Sequence, residues 1–438
     1  MTAEQTDPTI DTLLARHPAL GYDGQGHLMF DGVSLQELAR HAGTPCWIIS
    51  ETVLQERATR FKEAFSHYRQ SVRFHFAVKS QDHKACLSSL AQLDYGADVV
   101  SGGEMERALN AGIKAENIVF SGVGKTDDEL KRAVALGIAQ VNIESAEELF
   151  RLNDLALSLN RTVRVALRVN PDIDAGTHAK ITTGKAENKF GIAHQHVAEL
   201  YGKAQNELDG IDIVGLAVHL GSQIITETPY RTGYNKLASM VQDLRRRHLK
   251  VSVLDCGGGL GISYRNEKAP EPSMLAKVIA ETLPDDVTLR LEPGRWISAP
   301  SGVLLSRIIE IKKGSRQFAI IDGGMNDLVR PAMYDAWHGI LPVSKAINVR
   351  PIPYDVVGPI CESSDVFARN RSLPPLEKGD LITILDAGAY GSVMSSTYNS
   401  RPFAAQIMVR EGQWSIIQKR QTLDEILQRE LLPSWAAG

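Results

Sequence analysis

The stretch 73–81, RFHFAVKSQ, decides how this chain is read. Phe74, Phe76 and Val78 make a dense apolar run of strand length with His75 and Ala77 between them, and the run stops at Lys79, where Ser80 and Gln81 open a polar turn. Seven further β-rich runs follow, at 97–100, 117–120, 140–143, 163–169, 215–219, 251–255 and 287–292. The segments between them are mostly amphipathic. Those at 103–111, 126–136 and 145–157 carry apolar residues at helical spacing, and Ser145 and Glu148 have the spacing of a capping box. Eight successive strand–helix units predict a (β/α)8 barrel, with a doubly wound open sheet as the alternative.

Past Arg295 the pattern changes. Runs at 302–312, 318–322, 354–358, 380–387 and 403–410 read as strands set off by Gly, Pro and Asn turns, with helices expected only at 334–338 and 422–431. The run 27–30, followed by Gly32 and a short helix from Ser34, is expected to add a strand to this region. The predicted organisation is therefore a barrel over 45–300 and a mostly β domain, sandwich-like or barrel-like, built from 1–44 plus 301–438.

Composition removes several function classes. The 438 residues are 43% hydrophobic and 23% charged, with 48 basic against 52 acidic residues and a net charge of −4. Such a balance gives no electrostatic footprint for nucleic acid and no attraction to anionic membranes. Cys46, Cys86, Cys256 and Cys361 are scattered, without the spacing of a zinc site or a disulfide framework, so no metal is expected. The first ten residues lack an apolar signal region, and no run is long enough to span a bilayer, so a reduced, cytoplasmic setting is expected.

The residues that can do chemistry recur at one place, the C-terminal end of a strand, which is where barrel enzymes build their sites. Lys79 follows the first strand, and a lysine there can hold an aldehyde cofactor as a Schiff base. His219 ends the sixth, in VHLGSQ; it is either a core histidine or a group lying flat on a cofactor ring. Gly257, Gly258 and Gly259 follow the seventh. They form either a tight turn or a phosphate cradle, with a following helix start expected to add favourable dipole and Ser222 a further phosphate donor. Glu292-Pro293-Gly294-Arg295 closes the eighth. A carboxylate against a pyridine nitrogen keeps that nitrogen protonated, which favours loss of CO2 over racemisation.

Ten motifs, in order and spanning roughly 44–409, carry a resemblance. They include FAVKS (76–80), GADVVSGGEMERALNAG (96–112), FSGVGKT (120–126), NPDIDAGTHAKITTGKAENKFGI (170–192), HLGSQI (219–224), LDCGGGLGISY (254–264) and EPGR (292–295). RPAMYDAWH (330–338), GPICESSD (358–365) and AGAYGSVMSSTYNSRP (387–402) complete the set. The chain resembles the fold-type III decarboxylases dependent on pyridoxal 5′-phosphate (PLP), whose members act on ornithine, diaminopimelate and arginine. The resemblance implies a PLP barrel plus a β domain. It implies that Lys79 bonds to the cofactor, His219 stacks on its ring, and Ser222, Gly257, Gly258 and Gly259 cradle the phosphate with Gly294 and Arg295 adjoining. Glu292 would pair with the ring nitrogen and Tyr390 would touch cofactor or substrate. Cys361 would be the acid that reprotonates the carbanion, and Cys361 and Glu362 would reach in from the second subunit of a homodimer. Cys46, Cys86 and Cys256 are expected to be packing residues.

The far end of the substrate is read from charge. Arg295 and Arg330 fall in the family's substrate motifs, and Arg330 shares a helix face with Tyr334 if 330–338 is helical. Two guanidinium groups fit a retained carboxylate, and Glu362 fits a distal ammonium. A distal amino acid group carries both charges, whereas a simple diamine precursor leaves a buried arginine costly to keep. The expected reaction is conversion of meso-diaminopimelate to L-lysine and CO2, the last step of lysine biosynthesis; the alternatives are decarboxylation of a related amino acid in a specialised biosynthetic pathway and, behind it, a non-catalytic PLP-binding regulatory homologue. Ser80-Gln81, Ser364 and Trp296 depart from the family pattern and bear on that alternative.

Overall fold

A computed structural model describes residues 7–67, 71–173, 189–346 and 348–436. The chain divides into two units, one of residues 55–263 and 267–297, the other of 1–54, 264–266 and 298–438.

The first unit is a closed barrel of eight parallel strands: β1 (Ser71–Ala77), β2 (Gly96–Val99), β3 (Ile118–Phe120), β4 (Gln140–Ile143), β5 (Val163–Asn170), β6 (Ile211–Ala217), β7 (Val253–Asp255) and β8 (Thr288–Leu291). Neighbours in sequence are neighbours in the sheet, and β8 pairs with β1 through Leu291 and Phe74. Pairing of β4 with β5 through Val141–Val165 and Ile143–Leu167 leaves no free edge, which excludes the open doubly wound sheet.

The intervening helices begin where the sequence stops them from fraying. Thr126 and Glu129 form a full capping box ahead of Asp127–Leu136, which ends at Gly137 in the left-handed region (φ 67°). Ser145 caps Ala146–Ser158 by accepting from the Glu148 N–H, but the expected box is only half made. The Glu148 carboxylate turns instead to the Glu144 N–H at 3.1 Å and to Lys125 Nζ at 2.5 Å.

The barrel lumen is polar. Strands β4 and β7 are not neighbours, so the bonds from Gln140 Nε2 (3.3 Å) and Asn142 Nδ2 (3.0 Å) to Asp255 Oδ2 cross the interior. Lower-order contacts continue around the wall, with Arg290 of β8 donating to His75 Nε2 of β1 at 3.0 Å while His75 Nδ1 donates to the Asn117 carbonyl at 3.0 Å. Burial beside Arg290 pushes His75 down to about 3, so its ring is neutral and can accept from the guanidinium.

The second unit is built on one long strand, Gly302–Lys313, which pairs with Cys46–Ser50, Gln317–Ile321 and Leu381–Ile384. Both faces of this strand are covered. Val303 and Leu305 join a core with Leu13, Leu35, Cys46 and Ile48, and Leu304 joins a second core with Trp47, Ile321 and Val356. The domain boundary expected at residue 45 is therefore displaced. Cys46–Ser50 belongs to the β unit, because its strand partners are Gly302–Lys313 and Ala405–Arg410. Strands Ile340–Pro342, Val366–Leu373 and Gln413–Gln418 are also present and were not expected.

Three local expectations change. Leu28–Phe30 lies in a separate small sheet with Leu20–Tyr22 and Val33–Ser34, joined to the segment around Ser344 by a bridge at His27, where the Leu28 N–H donates to the Val343 carbonyl at 2.8 Å. The helix expected at 334–338 is Arg330–Tyr334, ended by Asp335 at φ 51°. The C-terminal helix is limited to Leu423–Leu427. Among the described residues no helix is long and apolar enough to cross a membrane.

Candidate active site

The C-terminal mouth of the barrel gathers the charged residues. Past β1 a single 3₁₀ turn, Val78–Ser80, carries Lys79, whose Nζ donates to the carboxylate of Asp98 on β2. Asp98 is fully buried, so the lysine is held toward the interior while keeping partial exposure. Glu292 follows β8 and is also buried, and its Oε1 has no hydrogen-bond partner among the described residues. Burial, then the charges of Asp255 and Asp98, hold the Glu292 carboxyl well above the usual carboxylate range. Asp255 is pushed up by burial too, but donors from Asn142 and from the Gly257 N–H (3.0 Å) oppose that and favour its ionised form.

His219 lies two residues past β6. Burial, with Lys79 and Arg168 as nearby positive charges, drives it well below its ordinary value, so its ring is neutral. The Gly258 N–H approaches its Nδ1 at 3.4 Å. Arg168 on β5 is fixed by Glu144 at 2.6 Å, with its guanidinium 4.9 Å from the Phe190 ring.

The glycine run is a close-packed cradle. Gly257 (φ +65°) and Gly259 (φ +98°) occupy backbone conformations that side chains avoid, and a Cβ would fall 2.4 Å from the Val218 carbonyl and 2.3 Å from the Gly221 carbonyl. No helix starts directly after it. The next regular helix is Pro272–Thr282, so the expected dipole contribution is absent. Across the mouth Arg295, buried, donates to Ser222 Oγ at 3.0 Å, and Gly294 packs where a Cβ would meet Ser80 Oγ at 2.9 Å.

Of the departures from the family pattern, Ser364 is exposed, while Ser80, Gln81 and Trp296 are buried. Ser80 is buried and donates to the Ala77 carbonyl at 2.8 Å; Gln81 is buried as well. Trp296 is almost fully buried beneath the Arg57 guanidinium (3.5 Å to the ring), with Arg57 also donating to its carbonyl at 2.7 and 2.9 Å. It is a packing residue.

The β unit carries the remaining candidates. Arg330 is buried, donates to His338 Nε2 at 2.9 Å, and stands 4.7 Å from the Tyr264 ring, while Tyr334, one turn on, is partly exposed. Cys361 is the exposed cysteine; Cys46, Cys86 and Cys256 are buried. The Cys361 N–H donates to Asn399 Oδ1 at 3.2 Å, and Glu362 accepts from the Tyr398 hydroxyl at 2.5 Å. Tyr390 sits in the left-handed region at φ 54° and is partly exposed. Residues 174–188 of the 170–192 motif lie outside the described residues.

Sequence reading missed Asp98, Asp255, Arg168 and Glu104. Asp98 and Asp255 occupy the same strand-end position that singled out Lys79, and that signal was available. Glu104 lies on Gly102–Asn110, accepts from the Val100 N–H at 2.8 Å, and is pushed up to about 7, chiefly by burial.

A lysine beside a buried carboxylate, an orphaned buried carboxyl oxygen and a side-chain-free cradle fit one group: a cofactor with an aldehyde, a basic ring nitrogen and a phosphate. The comparisons agree. The pyridoxal binding domain of the pyridoxal-dependent decarboxylases matches residues 51–299. The diaminopimelate decarboxylase of Zymomonas mobilis is 42% identical over 415 residues, 94% of this chain and 98% of that protein. The diaminopimelate decarboxylase of M. jannaschii, solved with L-lysine, superposes with a TM-score of 0.90 at 32% identity, covering 95% of this chain and 98% of that one. The Helicobacter pylori enzyme, also complexed with L-lysine, gives 0.86 at 38% identity, covering 90% and 98%.

Proposed function

The chain belongs to the pyridoxal-dependent decarboxylases, and from that premise we propose that it converts meso-2,6-diaminopimelate to L-lysine and CO2 with PLP as cofactor. When bound, PLP supplies the electron sink that accepts the pair left on the α-carbon as CO2 departs. The observation that carries the reading is Glu292, whose buried Oε1 has no hydrogen-bond partner among the described residues and so is left for a ring nitrogen. Lys79, held by Asp98, is the amine for the aldehyde. His219 is neutral and offers a flat ring face without adding positive charge against the sink. The glycine cradle and Ser222 take the phosphate, with Gly294 allowing close approach.

For the substrate, Arg295 and Arg330 supply guanidinium groups for the carboxylate that is retained, Tyr334 and Tyr390 are further substrate contacts, and Glu362 meets the distal ammonium. Cys361 is exposed and able to deliver a proton from Sγ to the α-carbon. The working form is a homodimer in which Cys361 and Glu362 of one copy serve the cofactor of the other. Similarity to diaminopimelate decarboxylases along nearly the whole chain supports the substrate.

The test is CO2 release by PLP-loaded protein offered meso-diaminopimelate, ornithine, arginine and lysine separately. Release from meso-diaminopimelate alone, with lysine as product, is expected. Release from one of the others overturns the substrate and keeps the chemistry; release from none overturns both.

A further inference from the structure

We propose that His338 is a positioning residue that aims Arg330 at the substrate's retained carboxylate while leaving the guanidinium charge intact. The inference rests on the assignment of Arg330 to that carboxylate.

Two contacts of the imidazole fix its state. Arg330 NH1 lies 2.9 Å from His338 Nε2, and a guanidinium can only donate, so Nε2 presents a lone pair. His338 Nδ1 lies 2.7 Å from the Leu385 carbonyl, which can only accept, so Nδ1 carries the hydrogen. The ring is therefore the neutral Nδ1–H tautomer, and each nitrogen is assigned by its neighbour.

The ring is itself immobilised. His338 is fully buried, and its carbonyl accepts from Arg371 NH1 at 2.9 Å. The next residue, Gly339, accepts at its carbonyl from the Leu385 N–H at 2.9 Å, so the strand end that receives the imidazole is tied to the segment that carries it. Tyr264 meets the His338 ring edge-on at 5.4 Å and also lies under the Arg330 guanidinium at 4.7 Å. The left-handed Asp335 turns the chain back after Arg330–Tyr334, which lets residue 338 reach residue 330.

The chemistry of the acceptor gives the arrangement its use. A carboxylate at the His338 position would orient Arg330 equally well, but it would cancel the charge that an incoming carboxylate needs. A neutral ring nitrogen takes up one N–H of the five-donor fork and fixes its direction without itself cancelling the positive charge. On this reading His338 acts through Arg330 and touches neither cofactor nor reacting atoms.

The experiment uses PLP-loaded full-length protein and two probes, L-lysine and 1,5-diaminopentane, which keeps both amines but lacks the carboxylate. Affinities are measured by equilibrium titration for wild type, His338→Leu, His338→Gln and Arg330→Met, alongside KM and kcat for meso-diaminopimelate. His338→Leu is expected to weaken L-lysine and raise KM about tenfold, the loss of one charge-assisted hydrogen bond. Diaminopentane affinity and kcat should stay within about twofold. His338→Gln, whose amide can accept from Arg330 and donate to Leu385, should recover most of the loss. Equal weakening of both probes would make His338 merely structural and overturn the proposal, as would unchanged L-lysine affinity in His338→Leu. Should Arg330→Met bind L-lysine normally, the carboxylate assignment of Arg330 falls and the proposal with it. Should Arg330→Met weaken L-lysine while His338→Leu does not, only the role of His338 falls. If His338→Leu does not fold, His338→Gln decides, because a Gln variant that folds yet loses L-lysine selectively by more than tenfold contradicts the rescue.

Discussion

Replacing Lys125 with methionine should destabilise the barrel unit by about 3–5 kcal/mol, the cost of breaking a buried ion pair from one side. Lys125 is buried, and its Nζ spends all three hydrogens, on the Gly122 and Asn142 carbonyls at 2.7 Å each and on Glu148 Oε1 at 2.5 Å. Methionine preserves length and apolar packing but leaves two carbonyls without this donor and strands the Glu148 carboxylate. The carboxylate dominates the sum, because each carbonyl contributes only about 1 kcal/mol. Adding Glu148→Gln should therefore recover about 2 kcal/mol, since the amide removes the charge and still accepts from the Glu144 N–H. The assay is urea unfolding of the PLP-loaded protein, following the fluorescence of buried Trp296, for both single variants and the double. A Lys125→Met loss under about 1 kcal/mol, or a double variant whose loss equals the sum of the two singles, would refute the claim that an uncompensated buried charge sets the cost.

Other consequences follow from single sites. Lys79→Ala should abolish the visible absorbance band of covalently held cofactor, and a persisting band would remove Lys79 from its role. Cys361→Ala should bind PLP normally and lose about 10²- to 10⁴-fold in turnover, because it removes an acid from an exposed loop; near-normal turnover would refute the assignment. His17 donates through Nδ1 to the Leu13 carbonyl at 2.7 Å and through Nε2 to Asp386 at 3.0 Å, which requires the imidazolium. Its folded value is raised from 6.5, with Asp386 overcoming desolvation, so its contribution is full below pH 6.5 and is lost as pH rises through the folded value. Wild type should thus lose stability over that window relative to His17→Gln; identical pH dependence of the two would exclude the ion pair.

The barrel was legible because its parallel strands are buried on both faces, so runs such as 73–78 and 140–143 stand out as strand-length segments between amphipathic helices. The polar lumen was less legible. Gln140 and Asn142 acquire meaning only when Asp255, on a strand that is not their neighbour, comes within 3.3 Å. In the β unit, Cys46–Ser50 is buried at every position and finds its partners at Gly302–Lys313 and Ala405–Arg410, far along the chain, so no local pattern marked where it belongs. Val366–Leu373 carries Arg369, Asn370 and Arg371 in its middle, and that polarity concealed a strand at the end of the sheet. The site residues at strand ends were legible by position. Asp98 shared that position and was passed over; what the sequence does not show is the lysine turned onto it.

The discontinuous make-up of the β unit has a consequence for how the protein is made. Cys46–Ser50 leaves the ribosome early, but both of its strand partners lie beyond the barrel, from Gly302 onward. At ordinary elongation rates the nascent strand waits roughly ten to fifty seconds for them. Throughout that interval an apolar segment, CWIIS, has no native edge to join, and it is a ready target for pairing with other nascent chains. The barrel, whose residues are nearly contiguous, can close first. Yield in a heterologous host should accordingly depend on translation speed and holdase supply across residues 50–300 more than on the stability of the finished enzyme.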